Sequence, residues 1–195
     1  MSARDDVLAR VRAAQSGAVV EVPRDYRTAG SVDPDVLAER LTDYCAVVHR
    51  CAEREVPELL RRLLTGRVVV PEGFPAHWLV SLTAEVLRDP LSPRELDAVD
   101  GVVTTCAVAV CETGTIVLDA GPGMGRRVLS LVPDRHVVVV LPGDVVGSVP
   151  EALARLEATR PLTWISGPSA TSDIELQRVE GVHGPRALEV VLVSA

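Results

Sequence analysis

Gly101-Val-Val-Thr-Thr-Cys-Ala-Val-Ala-Val-Cys-Glu-Thr-Gly-Thr-Ile-Val-Leu-Asp-Ala120 is the stretch on which the fold turns. Almost every residue in it favours extended backbone, and the run breaks only at Glu112-Thr-Gly-Thr115. Such apolar runs suit strands buried on both faces of a parallel or mixed sheet. Downstream, His136 to Leu141, Leu162 to Ser166 and Leu188 to Val193 read as further strands, with a helix from Pro150 to Thr159 between the first two. Upstream, Arg67 to Val70 is a short strand stopped by Pro71.

Helical spacing accounts for much of the rest. Val56, Leu59, Leu60, Leu63 and Leu64 mark a helix over Glu53 to Leu64, ended by Thr65-Gly66. That makes Ala46 to Cys51 a separate short strand. Asp33 before Pro34 is an N-cap followed by proline at the first helical position, predicting a helix to about Asp43. Ser92-Pro-Arg-Glu95 fits a capping box and predicts another. Residues 2–15 form an amphipathic helix on Val7, Leu8, Val11 and Ala14, and Ser16 to Val32 is a polar arm. Strands alternating with helices predict an α/β fold with helices on both sheet faces, arranged as an N-terminal helix and arm (1–32) and a single domain (33–195).

Composition narrows the function. With 195 residues, 47% of them hydrophobic, the chain can bury one sizeable core built from Val, Leu and Ala. A formal charge of −7 without a basic stripe argues against nucleic-acid binding. All 20 basic residues are Arg. The absence of lysine excludes Schiff-base enzymes, lysine-anchored pyridoxal-phosphate enzymes and Walker-A ATPases, each of which needs the amine. No apolar stretch of signal-peptide or membrane-spanning length is visible, which predicts a cytoplasmic protein. Cys45, Cys51, Cys106 and Cys111 form no C-x-x-C pair and read as buried free thiols rather than a disulfide scaffold or metal site.

Four groups of residues could carry chemistry. Glu112, if buried between strands, would have its pKa raised into the range of acid–base work, with Thr113 and Thr115 as hydroxyl neighbours and Gly114 permitting a tight turn. A surface hairpin with a solvated carboxylate is the competing reading. Gly121-Pro-Gly-Met-Gly125, followed by Arg126, could offer backbone amides and a guanidinium to a phosphate or carboxylate, although the spacing matches neither a Rossmann nor a P-loop pattern. Gly167, Ser169, Thr171 and Asp173 lie beyond a strand end, where α/β sheets bind ligands, but Ser172-Asp-Ile-Glu175 is also a capping box that would start a helix. His183 and Gly184, in a tight turn, could transfer a proton or simply hold local backbone. His49, His77 and His136 show no ligand spacing.

Ala109-Val-Cys-Glu-Thr-Gly-Thr-Ile-Val117, Gly167-Pro-Ser-Ala-Thr-Ser-Asp-Ile-Glu175 and Gly181-Val-His-Gly-Pro-Arg186 together resemble the lactate-utilisation protein C family, whose shared unit is the LUD domain. The likeness covers roughly Arg67 to Val193, with weaker similarity around Val22-Pro-Arg-Asp-Tyr-Arg27. It implies a Rossmann-like sheet similar to the sugar-isomerase and coenzyme-A-transferase group, and an accessory role in oxidising L-lactate to pyruvate. The resemblance places iron–sulfur clusters on cysteine-rich partner proteins and none on this chain. Homo-oligomerisation is compatible with it. Many relatives carry an acidic residue five places before the glutamate, where this chain has Ala107. The coenzyme-A transferases show a similar glutamate-before-glycine motif, which keeps open a stand-alone acyl-transferase-like or isomerase-like enzyme with Glu112 as base or nucleophile.

Overall fold

Valine runs become the strands at the centre of the molecule. The computed structural model describes residues 2–14, 21–171, 179–180 and 184–194. In chain order the elements are α1 (Ala3–Ala14), α2 (Pro34–Asp43), β1 (Val47–Ala52), α3 (Val56–Leu63), β2 (Arg67–Val70), β3 (Glu85–Arg88), α4 (Pro93–Asp97), β4 (Gly101–Thr104), β5 (Val108–Val110), β6 (Thr115–Leu118), β7 (Arg135–Val140), β8 (Val145–Val146), α5 (Val149–Arg155), β9 (Thr163–Ile165), β10 (Ala170–Thr171), β11 (Val179–Glu180) and β12 (Ala187–Ser194). Two of the expected helix starts hold, and the one at Ser172-Asp-Ile-Glu175 lies outside the described residues. Asp33 accepts a hydrogen bond from the Asp35 amide, and Ser92 and Glu95 close a reciprocal capping box.

The main sheet has six parallel strands in the order β1-β12-β7-β4-β2-β3. One face, carrying Val68, Val70, Val103, Val137, Val139, Val191 and Val193, packs on α3 and the short 3-10 turn around Trp78. The other presents Val138, Val140, Leu188, Val190 and Leu192 to α2 and to a second sheet. That second sheet, ordered β8-β5-β6-β9 and mixed in direction, has α5 on its outer face. The architecture is therefore the expected α/β fold with a second sheet added in one of its covering layers.

The second sheet is a departure from the sequence reading. The extended run from Gly101 to Ala120 does not stay in one sheet. β4 belongs to the main sheet, whereas β5 and β6 form a hairpin in the other. Both faces of these strands are buried, so their residues carry no alternation that would assign them. Three further differences are local. The apolar stretch from Arg126 to Pro133, helical in its spacing, forms only one 3-10 turn, Arg127–Ser130, and the helix expected to reach Thr159 ends at Arg155. β3 went unpredicted because Glu85-Val-Leu-Arg88 is a largely exposed edge strand with little apolar signal.

Candidate functional site

The sequence-selected residues fall into two regions at opposite ends of the main sheet. From β2 the chain steps out to the edge at β3, returns to the other side of β2 as β4, and continues through β7 to β12. Strand order thus reverses between β2 and β4, and the crevice beyond their carboxyl ends is the usual ligand position in such sheets. Gly121–Gly125 lies across that crevice. The Gly123 amide donates to Glu72 O at 2.7 Å, and Gly123 O accepts from the Thr105 amide at 2.9 Å. A Cβ at Gly73 would stand 2.6 Å from Pro122, so glycine there is required by close approach as well as by its φ of +81°.

This geometry corrects the expectation of an open anion-binding loop. The Gly121 amide is taken by Asp119 Oδ1 at 2.9 Å, and the Met124 and Gly125 amides by Gly121 O, both at 3.1 Å. Arg126 closes a fork on Asp89, with its Nε at 2.7 Å and a terminal nitrogen at 2.5 Å, and it also donates to Leu91 O. Arg126 holds the Asp89 carboxyl below the ordinary carboxylate range. The loop itself is anchored through Asp119, which pairs with Arg160. Beside it remains a cleft of about 580 Å³, lined in part by Glu72, Asp89, Gly121, Gly125 and Arg126. Its polar groups are mostly spoken for by the protein.

The second region gathers the other motifs. Glu112 stands in the turn between β5 and β6, with Gly114 at φ +60°. Its side chain is 37% exposed, and Oε2 meets Arg27 of the N-terminal arm at 2.5 Å. Glu112 is not buried between strands, because it lies in the turn at the end of the hairpin. From this turn a chain of hydroxyls leads inward: Thr113 Oγ1 lies 2.8 Å from Thr115 Oγ1, which lies 2.8 Å from Ser166 Oγ. Gly114 and Gly167 face the end of α2. A Cβ would come within 2.6 Å of Arg40 at the first and 2.2 Å of Tyr44 O at the second. Both glycines therefore serve close helix packing.

Ser166, Gly167 and Ser169 meet Gly184 and Pro185 around a cleft of about 260 Å³ at the amino ends of β7 and β12. The Ser169 amide donates to Pro185 O at 2.8 Å, joining the two motifs. The expected position beyond a strand's carboxyl end thus applies to β9 of the small sheet, while the main-sheet strands begin here. Asp173 and His183 lie outside the described residues, as does the side chain of Thr171.

Sequence reasoning passed over one wall of this cleft, His136, which opens the β7 valine run. It is 1% exposed, its Nε2 lies 2.8 Å from Thr104 Oγ1, and its Nδ1 has no partner among the described residues. Burial pushes its pKa down to about 4, so the ring is neutral at pH 7. A polar ring placed among valines was the available signal. The buried thiols have the opposite tendency: burial raises both Cys106 and Cys111, and a thiol held protonated is a poor nucleophile. Among the described residues no three His, Cys, Asp or Glu side chains gather as a metal site, and no helix is long and apolar enough to cross a membrane.

Comparison with known proteins gives this geometry its family. Residues 92–193 match the LUD domain family model. The chain is 50% identical over 164 residues to a lactate utilization protein C of Deinococcus radiodurans, covering 80% of this chain and 77% of that protein. It is 28% identical over 200 residues to the lactate utilization protein C of Bacillus subtilis, covering 87% and 83% respectively. A crystal structure of a DUF162 family protein from Deinococcus radiodurans superposes with a TM-score of 0.70 at 43% identity, over 82% of this chain and 95% of that one. The parallel sheet, the hairpin carrying Glu-Thr-Gly-Thr and the joined serine and glycine motifs are thus those of a chain that belongs to the LUD domain family.

Proposed function

We propose that this chain serves lactate utilisation as a cytoplasmic accessory subunit, working beside iron–sulfur and cysteine-rich partner proteins that oxidise L-lactate to pyruvate and carry the redox centres. The observation that carries the reading is the 50% identity, over four-fifths of the chain, to a protein named for lactate utilisation. The side chains give it support of a different kind. Glu112 is exposed and ion-paired and the buried cysteines are held as thiols, so the groups best suited to nucleophilic chemistry are not activated for it. Clefts with polar walls remain, in keeping with a subunit that binds a small molecule and assembles with others.

Deletion of the gene, followed by growth on L-lactate as carbon source, tests the role. Growth should fail and return on complementation, and the tagged chain should retain iron–sulfur proteins during mild purification from lactate-grown cells. Unimpaired growth of the deletion strain on L-lactate would sink the proposal.

A further inference from the structure

We propose that the cleft between β9 and the amino ends of β7 and β12 is a binding site for a small monocarboxylate, with His136 as its innermost hydrogen-bond donor. The Thr104–His136 pair can share its hydrogens in two ways. Thr104 Oγ1 and His136 Nε2 are partners, and the Thr104 hydroxyl has no other among the described residues. If the ring donated to Thr104, the hydroxyl hydrogen and the Nδ1 lone pair would both be unmet. If Thr104 donates to Nε2, only one group is unmet, the Nδ1–H. A buried polar group without a partner costs on the order of 1–3 kcal/mol, so the second arrangement prevails. His136 therefore offers a donor, and the missing partner is an acceptor.

The walls refine the chemistry. Ser166 and Ser169 place hydroxyl-bearing residues around the cleft, Ser130 already donates its hydroxyl to Arg127 O at 3.0 Å, and Leu131, Ile165 and Leu188 supply an apolar side. Among the described residues no Asp or Glu lines it to repel an anion, and no Arg lines it to neutralise the double charge of a phosphate. Neutral donors beside an apolar wall match a single carboxylate on a short carbon frame. At about 260 Å³ the space is near the lower end for ligand pockets. Nδ1 is closed off from solvent, so seating the acceptor requires the packing around the ring to give slightly. The ring nitrogen is accordingly the atom to watch.

The test uses the full chain labelled with nitrogen-15 at histidine, titrated with L-lactate, with pyruvate and with propane-1,2-diol, which keeps the three-carbon frame but has no carboxylate. A saturable shift of the His136 Nδ1 resonance with lactate or pyruvate, and none with the diol, is expected. Gly184→Val should abolish it while the circular dichroism stays that of the parent. Gly184 does not have a positive φ, and its Cβ would enter at 3.3 Å from Ser169 Cβ. No response to either acid, an equal response to the diol, or a response that survives in Gly184→Val would each overturn the site. The lactate role proposed above decides only the choice of probes. A chain needed for growth on L-lactate but silent at His136 would leave that role standing and end this one.

Discussion

Glu112 Oε2 is held at 2.5 Å by the guanidinium of Arg27, 85 residues earlier in the chain. The pair ties the N-terminal arm to the β5–β6 turn, and it does not stand alone. The Gly30 amide donates to Glu151 Oε2 at 3.0 Å, and the Asp33 amide donates to Cys111 Sγ at 3.4 Å. Exposed pairs of this kind contribute about 0–1 kcal/mol. Glu112→Gln should therefore fold with an unfolding free energy within about 1 kcal/mol of the parent in a urea titration. It should also restore growth of the deletion strain on L-lactate. Failure to restore growth with the fold intact would favour an enzyme that uses Glu112.

Gly167 has a φ of +94°, and a Cβ there would lie 2.2 Å from Tyr44 O. Gly167→Ala should destabilise the chain by more than about 1 kcal/mol, because strain and a backbone clash act together. Gly143 has nothing within 4 Å of its Cβ direction. Gly143→Ala is the matched control and should change the urea midpoint little.

Asp89 titrates below its ordinary value of 3.8 because Arg126 is bonded to it. A carboxyl depressed in the folded state stabilises the fold fully above its unfolded pKa and loses that contribution as pH falls through the folded value. Asp89→Asn should thus cost stability at neutral pH, and the difference from the parent should shrink as acid is added below about pH 4. A difference that stays constant with pH would contradict the assignment.

His136 acts in the same direction but over a higher pH window. Its folded pKa of about 4 lies below the ordinary 6.5, so between those values the unfolded chain takes up a proton that the folded chain refuses. Stability should fall with acidification across that window by about 1.4 kcal/mol per pH unit from this group alone. His136→Gln should flatten the profile there.

Cys45 is exposed, whereas Cys106 and Cys111 are buried and have raised pKa values. Alkylation of the native protein with iodoacetamide at pH 7.5, followed by peptide mass analysis, should label Cys45 well before either buried thiol. Denaturation should remove the distinction.

Much of the fold was legible because valine runs and capping residues act locally. Arg67 to Val70 needs only its own side chains and Pro71 to read as a strand, and Asp33-Pro34 announces α2 in the same way. Sheet membership was not legible, since β4 and β5 are equally apolar and separate only through the path of the chain around Thr105. The site suffered from the same limit. Spacing marks Gly121–Arg126 as a glycine loop with an arginine, but it does not show that Glu72 O, Asp119 and Asp89 already occupy the donors. His136 was obscured by context, because its importance lies in a partner it lacks, and only packing reveals that.

The peptide at Pro122–Gly123 sits between the ends of β2 and β4, where related sheets leave room for a guest. The chain itself occupies that opening. A nucleotide or other long ligand could not lie across the strand ends without unfastening Gly123 from Glu72 and Thr105. The space that remains at this end of the sheet is the cleft of about 580 Å³ beside the loop, so a ligand entering here would lie along the flank of the strand ends and not across them.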